Sequence, residues 1–300
     1  MDTTPPSLVG CDFSSSPSAR KPIVVAHGAL AQGRLVLNRL DRFASLEAWG
    51  AWLAAPGHWT GAFDFPFGLP RELVTHLGWP TDWLACMRHY AGLERAEIRA
   101  TFAAFCDARP AGGKFAHRAT DAFAGSSPSM KWVNPPVAYM MHAGVPRLLR
   151  AGVHLPGLHE GDPARVALEG YPGLLAREVL DGWRPKPGQP GQRGVVRSSY
   201  KSDAAARQTP ERLIARKELV DALETGRGPH GPVSVGLRLR LSHAQRDALV
   251  ADASGDALDA VLCLVQAARA ELQQHAGGVP YGMPAQVDPL EGWITGANGS

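Results

Sequence analysis

Acidic residues recur in this sequence at the ends of short apolar runs. Asp12 closes Leu8-Val9-Gly10-Cys11, Asp64 follows Gly61-Ala62-Phe63, and Glu169 follows Val166-Ala167-Leu168; Asp256 and Asp259, three residues apart, open a late segment of helical periodicity. Gathering carboxylates is unfavourable, because like charges raise one another's pKa. A divalent cation removes that penalty, and magnesium prefers hard oxygen ligands. Two such ions roughly 4 Å apart can activate water and stabilise the leaving oxygen in an in-line attack on phosphorus. The expected chemistry is therefore phosphodiester hydrolysis with Mg2+ or Mn2+, with Asp64, Glu169, Asp256 and Asp259 converging on Asp12. Each acid also has a plainer role available, as a turn cap or a partner of a helix dipole, and only the joint pattern favours a site.

Other groups could hold the substrate. The serine-rich turn after Asp12 offers Ser14 and Ser15 hydroxyls and backbone N–H groups to a phosphate. His117-Arg118-Ala119-Thr120-Asp121 combines a cation, a hydroxyl and an acid, which makes Arg118 and Asp121 candidate contacts. Lys201, after Ser199-Tyr200, is the preferred cation of a basic region that could neutralise phosphates. The histidines show no HExxH or related zinc spacing.

Elements that must position these residues follow from the pattern. Leu8–Asp12, Pro22–Leu30 and Arg34–Arg39 read as three successive strands, a meander. Ser45 opens a helix with Leu46, Trp49, Trp52 and Leu53 on one stripe, which Pro56-Gly57 stops. The Asp64 strand runs into Pro66-Phe67-Gly68-Leu69-Pro70 and must leave the sheet there. Residues 71–160 are too long for an ordinary connection and read as an inserted helical subdomain or lid, most convincingly helical over Trp83–Cys106. Arg165–Glu169 resumes a strand and a helix follows Pro172. Residues 184–197 form a Pro/Gly-rich mobile basic loop, Pro210 begins a helix, Ser242 starts another, and Ser254 caps the last. From Gly277 the chain reads as a Gly/Pro-containing tail. The sum is a single α/β domain over residues 1–300, a mixed sheet flanked by helices, in which sites form at strand C-termini.

A net charge of +3 over 300 residues is too mild to prove a polyanionic partner. The four cysteines are scattered among apolar neighbours and read as reduced, buried thiols. No apolar run approaches a membrane span and the first residues do not read as a secretory signal, so a soluble cytoplasmic protein is expected. The oligomeric state has no signature.

Gly10-Cys11-Asp12, Phe63-Asp64-Phe65-Pro66-Phe67-Gly68-Leu69-Pro70, Glu169-Gly170-Tyr171-Pro172, Tyr200-Lys201 and Asp256-Ala257-Leu258-Asp259-Ala260 together resemble the "domain of unknown function 429" family. That resemblance implies a predicted nuclease of ribonuclease H-like fold with a nucleic-acid or nucleotide substrate, in which Asp12, Asp64 and Asp259 are the catalytic core metal ligands and Asp256 and Glu169 auxiliary metal ligands. The closing Asp-x-x-Asp-Ala also resembles the last acidic motif of Holliday-junction resolvases, where such acids bind magnesium. Two other readings stay open: a sugar-kinase or actin-like ATP-binding phosphotransferase, and a non-catalytic nucleic-acid-binding relative.

Overall fold

The computed structural model describes residues 6–184, 199–234 and 236–297. The chain runs β1 (Ser7–Asp12), β2 (Ile23–Ala31), β3 (Arg34–Phe43), α1 (Leu46–Ala54) and β4 (Trp59–Phe63), followed by α2 (Arg71–His76), α3 (Trp83–Ala91), α4 (Arg95–Asp107), α5 (Ala119–Ala124) and α6 (Val137–Arg150). Next come β5 (Val153–His154), β6 (Asp162–Glu169), α7 (Pro172–Asp181), α8 (Pro210–Thr225), a small hairpin of β7 (Arg227–Gly228) and β8 (Gly231–Pro232), β9 (Leu239–Arg240), α9 (His243–Ala251) and α10 (Asp256–His275). A seven-stranded mixed sheet has the order β5-β6-β4-β1-β2-β3-β9. The β1-β2-β3 meander is antiparallel, whereas β4 pairs parallel to both β1 and β6.

Strand periodicity sorts the side chains into two layers. On β1, Val9 and Cys11 join Phe13, Trp49, Phe63 and Phe65 in one core, while Leu8 points to the opposite face with Val24, Leu35 and the apolar stripe of α10. The same alternation runs through Phe63-Asp64-Phe65: the phenylalanines enter the first core, and Phe13 packs against Phe65 with tilted rings 4.6 Å apart. Asp64 is thereby turned toward α10.

Helices α3, α4 and α6 share that first core with β1, β2 and β4. Segment 71–160, expected as an inserted subdomain or lid, is thus a layer of the domain itself. Its apolar residues complete the sheet's burial, and a detachable lid would expose them. The stretch expected to be helical, Trp83–Cys106, forms two helices, α3 and α4, separated at Gly92-Leu93-Glu94, with the Glu94 and Glu97 carboxylates closing a capping box at the second start. The segment from Gly277, expected as a Gly/Pro-containing tail, is tied to the sheet. Thr295 N–H donates to the Glu169 carbonyl at 2.9 Å and Gln266 Nε2 donates to the Thr295 carbonyl at 3.1 Å, which seats Thr295 beside β6. The basic loop expected over 184–197 lies outside the described residues except for Arg184.

Helix α10 crosses β1 at Gly10. A Cβ there would stand 2.0 Å from the Leu264 nitrogen and 2.1 Å from the Ala260 carbonyl oxygen, so backbone meets backbone. Gly10→Ala should cost about 1–3 kcal/mol or more by overpacking, read as a lower denaturant midpoint, and should loosen the approach of α10 to the end of β1. An unchanged midpoint would contradict this packing.

Candidate metal centre

Asp12 and Asp64 end neighbouring parallel strands, and the Asp64 N–H donates to the Cys11 carbonyl at 2.8 Å, holding the two in step. Asp259 reaches them from the first turn of α10. Each of the three offers a carboxylate oxygen lying within 4.8 Å of the others. Asp259 is fully buried, whereas Asp12 and Asp64 are half-buried.

Helix α10 begins at Gly255, whose φ of 78° is left-handed and suits glycine. The N-cap thus lies one residue after the expected Ser254, whose hydroxyl still accepts from the Asp256 N–H at 3.4 Å. The Asp252 carboxylate also caps this end, accepting from the Ala257 N–H at 2.9 Å and from the Ser254 hydroxyl at 2.7 Å. The positive end of the helix dipole consequently faces the carboxylates.

Partners differ sharply among the three acids. Both Asp259 oxygens are taken, one by the Tyr200 hydroxyl and the other by the Lys201 ammonium. Among the described residues, no hydrogen bond reaches the side-chain oxygens of Asp12 or Asp64. Burial, then the charge of Asp259, pushes Asp64 up to about 7, with Lys201 opposing. Asp12 is driven well above the usual carboxylate range by the same causes. Burial, the largest single influence, would lower the Lys201 ammonium, but Asp259, Tyr200, Asp12 and Asp64 together outweigh it and hold that pKa well above the ordinary value. Three hard oxygen donors, two of them unpaired and reluctant to ionise, fit Mg2+ or Mn2+ and not a soft-ligand metal.

Glu169 and Asp256, expected as additional metal ligands, stand apart from this group. Glu169 pairs in register with Phe63, so it projects to the face opposite Asp64, and Gly170 occupies the position level with Asp64. Both Glu169 oxygens accept from Arg118, at 2.6 and 2.8 Å, and one also accepts from the Phe67 N–H at 2.9 Å. Asp256 is half-buried, raised by burial and opposed by Lys21, beside Asp252 and Ser254. It borders the triad without joining it.

Arg118 and Asp121 are likewise not positioned as substrate contacts. Both are 1 % exposed. The Arg118 guanidinium bonds Asp121, Glu169 and the Glu291 carbonyl, which occupies all five of its N–H donors. The Ser14 hydroxyl accepts from the Ser16 N–H at 3.3 Å, and the Ser15 carbonyl accepts from Arg95 at 2.8 Å. This turn is clamped from the start of α4, where Arg95 went unnoticed in the sequence.

A cavity of about 550 Å³ opens beside the triad, lined by Asp64, Tyr171, Arg177, Tyr200 and Lys201 among others. Of the expected substrate contacts, Lys201 lines it with its ammonium on Asp259, Arg118 borders it with its donors spent, and Ser14, Ser15 and Asp121 are outside its lining. All four cysteines are free and buried, as their neighbours implied. No helix among the described residues is long and apolar enough to cross a membrane. No protein-family model, curated protein or solved structure matches this chain.

Proposed function

We propose that this protein is a divalent-metal-dependent phosphodiesterase acting on nucleic acid, built on a ribonuclease H-like fold. The observation that carries the reading is the convergence of Asp12, Asp64 and Asp259 from β1, β4 and α10 to within 4.8 Å. Support for the fold comes from the antiparallel β1-β2-β3 meander continued by parallel β4 and β6, with α10 laid across β1.

In this reading Asp12 and Asp64 supply unpaired hard oxygens to Mg2+ or Mn2+, and Asp259 completes the donor set. A bound ion would contribute Lewis-acid polarisation of a phosphoryl oxygen and a more acidic water. The protein's own task is orientation. Tyr200 and Lys201 fix the Asp259 carboxylate, and the parallel pairing of β1 and β4 fixes Asp12 against Asp64. The adjoining cavity receives the organic part of the substrate, with Arg177 held over the Tyr171 ring at 5.3 Å on its wall. The acid-rich floor repels a bare phosphate, so substrate and cation must bind together.

Single- and double-stranded DNA and RNA oligonucleotides, incubated with Mg2+ or Mn2+ and in parallel with chelator, provide the test. Cleavage that appears with the metal and stops with the chelator is expected for at least one substrate. Absence of metal-dependent cleavage across all four would sink the reading, and ATP-induced thermal stabilisation in its place would favour a phosphotransferase.

A further inference from the structure

Lys201 is a built part of the carboxylate site. The Ser202 N–H donates to the Ala253 carbonyl at 3.1 Å, and Arg216 donates to the Tyr200 carbonyl at 2.8 Å, so backbone on both sides of the lysine is tied down. Its stem packs on Gly255: a Cβ at that glycine would meet the Lys201 Cβ at 2.7 Å and its Cδ at 3.0 Å. The same glycine's left-handed backbone starts α10, so the position of the lysine and that of Asp259 are set by one residue. The ammonium ends on Asp259, while 40 % of the side chain stays exposed toward the cavity.

Charge balance then constrains what else the site holds. The triad carries three negative charges when ionised, and Lys201 compensates one of them permanently. One divalent ion balances the remaining two. The donor pattern agrees, because both Asp259 oxygens already have partners, whereas the oxygens of Asp12 and Asp64 have none among the described residues. A second ion would have to displace the ammonium from Asp259.

We propose that this centre takes a single divalent ion, held chiefly by Asp12 and Asp64, and that the Lys201 ammonium occupies the place of a second cation, facing the substrate phosphate. The proposal rests on the metal-dependent reading above and adds the stoichiometry and the role of the lysine. An ammonium that shares a carboxylate with the ion also competes with it. Removing the lysine should therefore strengthen metal binding while weakening cleavage, two effects of opposite sign that a merely structural ion pair would not produce.

Titration of the metal-free protein with Mn2+, followed by calorimetry and by the paramagnetic signal of free Mn2+, tests it. One ion per chain is expected. Two ions per chain would overturn the proposal while leaving the metal-dependent reading intact, and none would remove both. Lys201→Met keeps the stem over Gly255 and should bind Mn2+ at least about tenfold more tightly, because a nearby positive charge is gone. Its cleavage should fall about 100-fold, the scale of losing one charge-stabilising donor. Unchanged or weaker Mn2+ binding by a folded Lys201→Met would overturn the competition. Lys201→Arg, which keeps the charge, should retain both one-ion stoichiometry and most of the wild-type affinity, and should a folded Lys201→Met prove unobtainable, a two-ion count for this variant overturns the proposal as well.

Discussion

Arg118→Ala should be among the most destabilising single substitutions in the domain, lowering unfolding free energy by about 3–5 kcal/mol in chemical denaturation. The guanidinium lies between two buried acids, with Nη2 donating to Glu169 at 2.6 Å and to Asp121 at 2.8 Å. Removing it leaves those carboxylates facing each other without a cation, and also frees the Glu291 carbonyl that Arg118 bonds at 2.9 Å. The damage should spread, because this network joins α5 to the end of β6 and to the chain's last segment, where Ile294 N–H donates to the Thr120 hydroxyl at 2.8 Å. Arg118→Lys should lose somewhat less: one ammonium cannot serve two carboxylates and a carbonyl in the planar geometry of a guanidinium. Glu169→Gln should be the mildest. Burial already raises the Glu169 pKa against the pull of Arg118, and the neutral amide still pairs Arg118 with one acid in place of two. That variant also separates two roles for Glu169, since a metal ligand would lose Mn2+ affinity on conversion to Gln, whereas a partner of Arg118 would keep it. The expected order of midpoints is wild type, Glu169→Gln, Arg118→Lys, Arg118→Ala.

The misplacement of Glu169 shows what the sequence does and does not reveal about such a site. The three strand-end acids look equivalent as a list, yet strand parity distinguishes them. Aligning Gly61-Ala62-Phe63-Asp64 with Ala167-Leu168-Glu169-Gly170 sets Glu169 level with Phe63, a core residue, and Gly170 level with Asp64. Register between strands some hundred residues apart depends on tertiary pairing, so no local signal could supply it. Gly10 offered a signal that was legible and went unused: an isolated glycine within an apolar strand marks close approach of another backbone, and α10 meets β1 there. The helix starts at Ser45 and Pro210 were readable because caps and N-terminal prolines act locally. The layer formed by residues 71–160 was not, because amphipathic helices look alike whether they cover the chain's own sheet or form a separate body. Lys201 was chosen for its charge, but its contact with Asp259 crosses 58 positions of sequence.

Asp64→Asn should produce changes of opposite sign in stability and activity. In the metal-free protein Asp64 titrates near 7, well above an unfolded aspartate, so the folded state holds a proton that the unfolded state has released. A carboxylate raised in this way contributes stability that is fully present below the unfolded pKa, near 4, and is lost as pH rises through about 7. Asp12, raised by burial and by Asp259, has the same sign. Wild-type protein in chelator should accordingly become less stable between pH 4 and pH 8. Asparagine carries no charge at either pH, so Asp64→Asn should match wild type near pH 4 and melt higher at pH 8. The gain corresponds to no more than a few kcal/mol, reduced by the solvent that reaches the half-buried side chain. Mg2+ or Mn2+ at pH 8 should reverse the ranking, because binding to the folded state stabilises wild type by mass action and the variant has lost one of its two unpaired ligands. Phosphodiester cleavage should drop by about 10³-fold, since metal stabilisation of a developing charge is worth several kcal/mol. Thermal melts at the two pH values with and without the ion, beside the cleavage assay, measure each part. If the variant were no more stable than wild type at pH 8 in chelator, the carboxylates would not be crowded as the 4.8 Å triad requires.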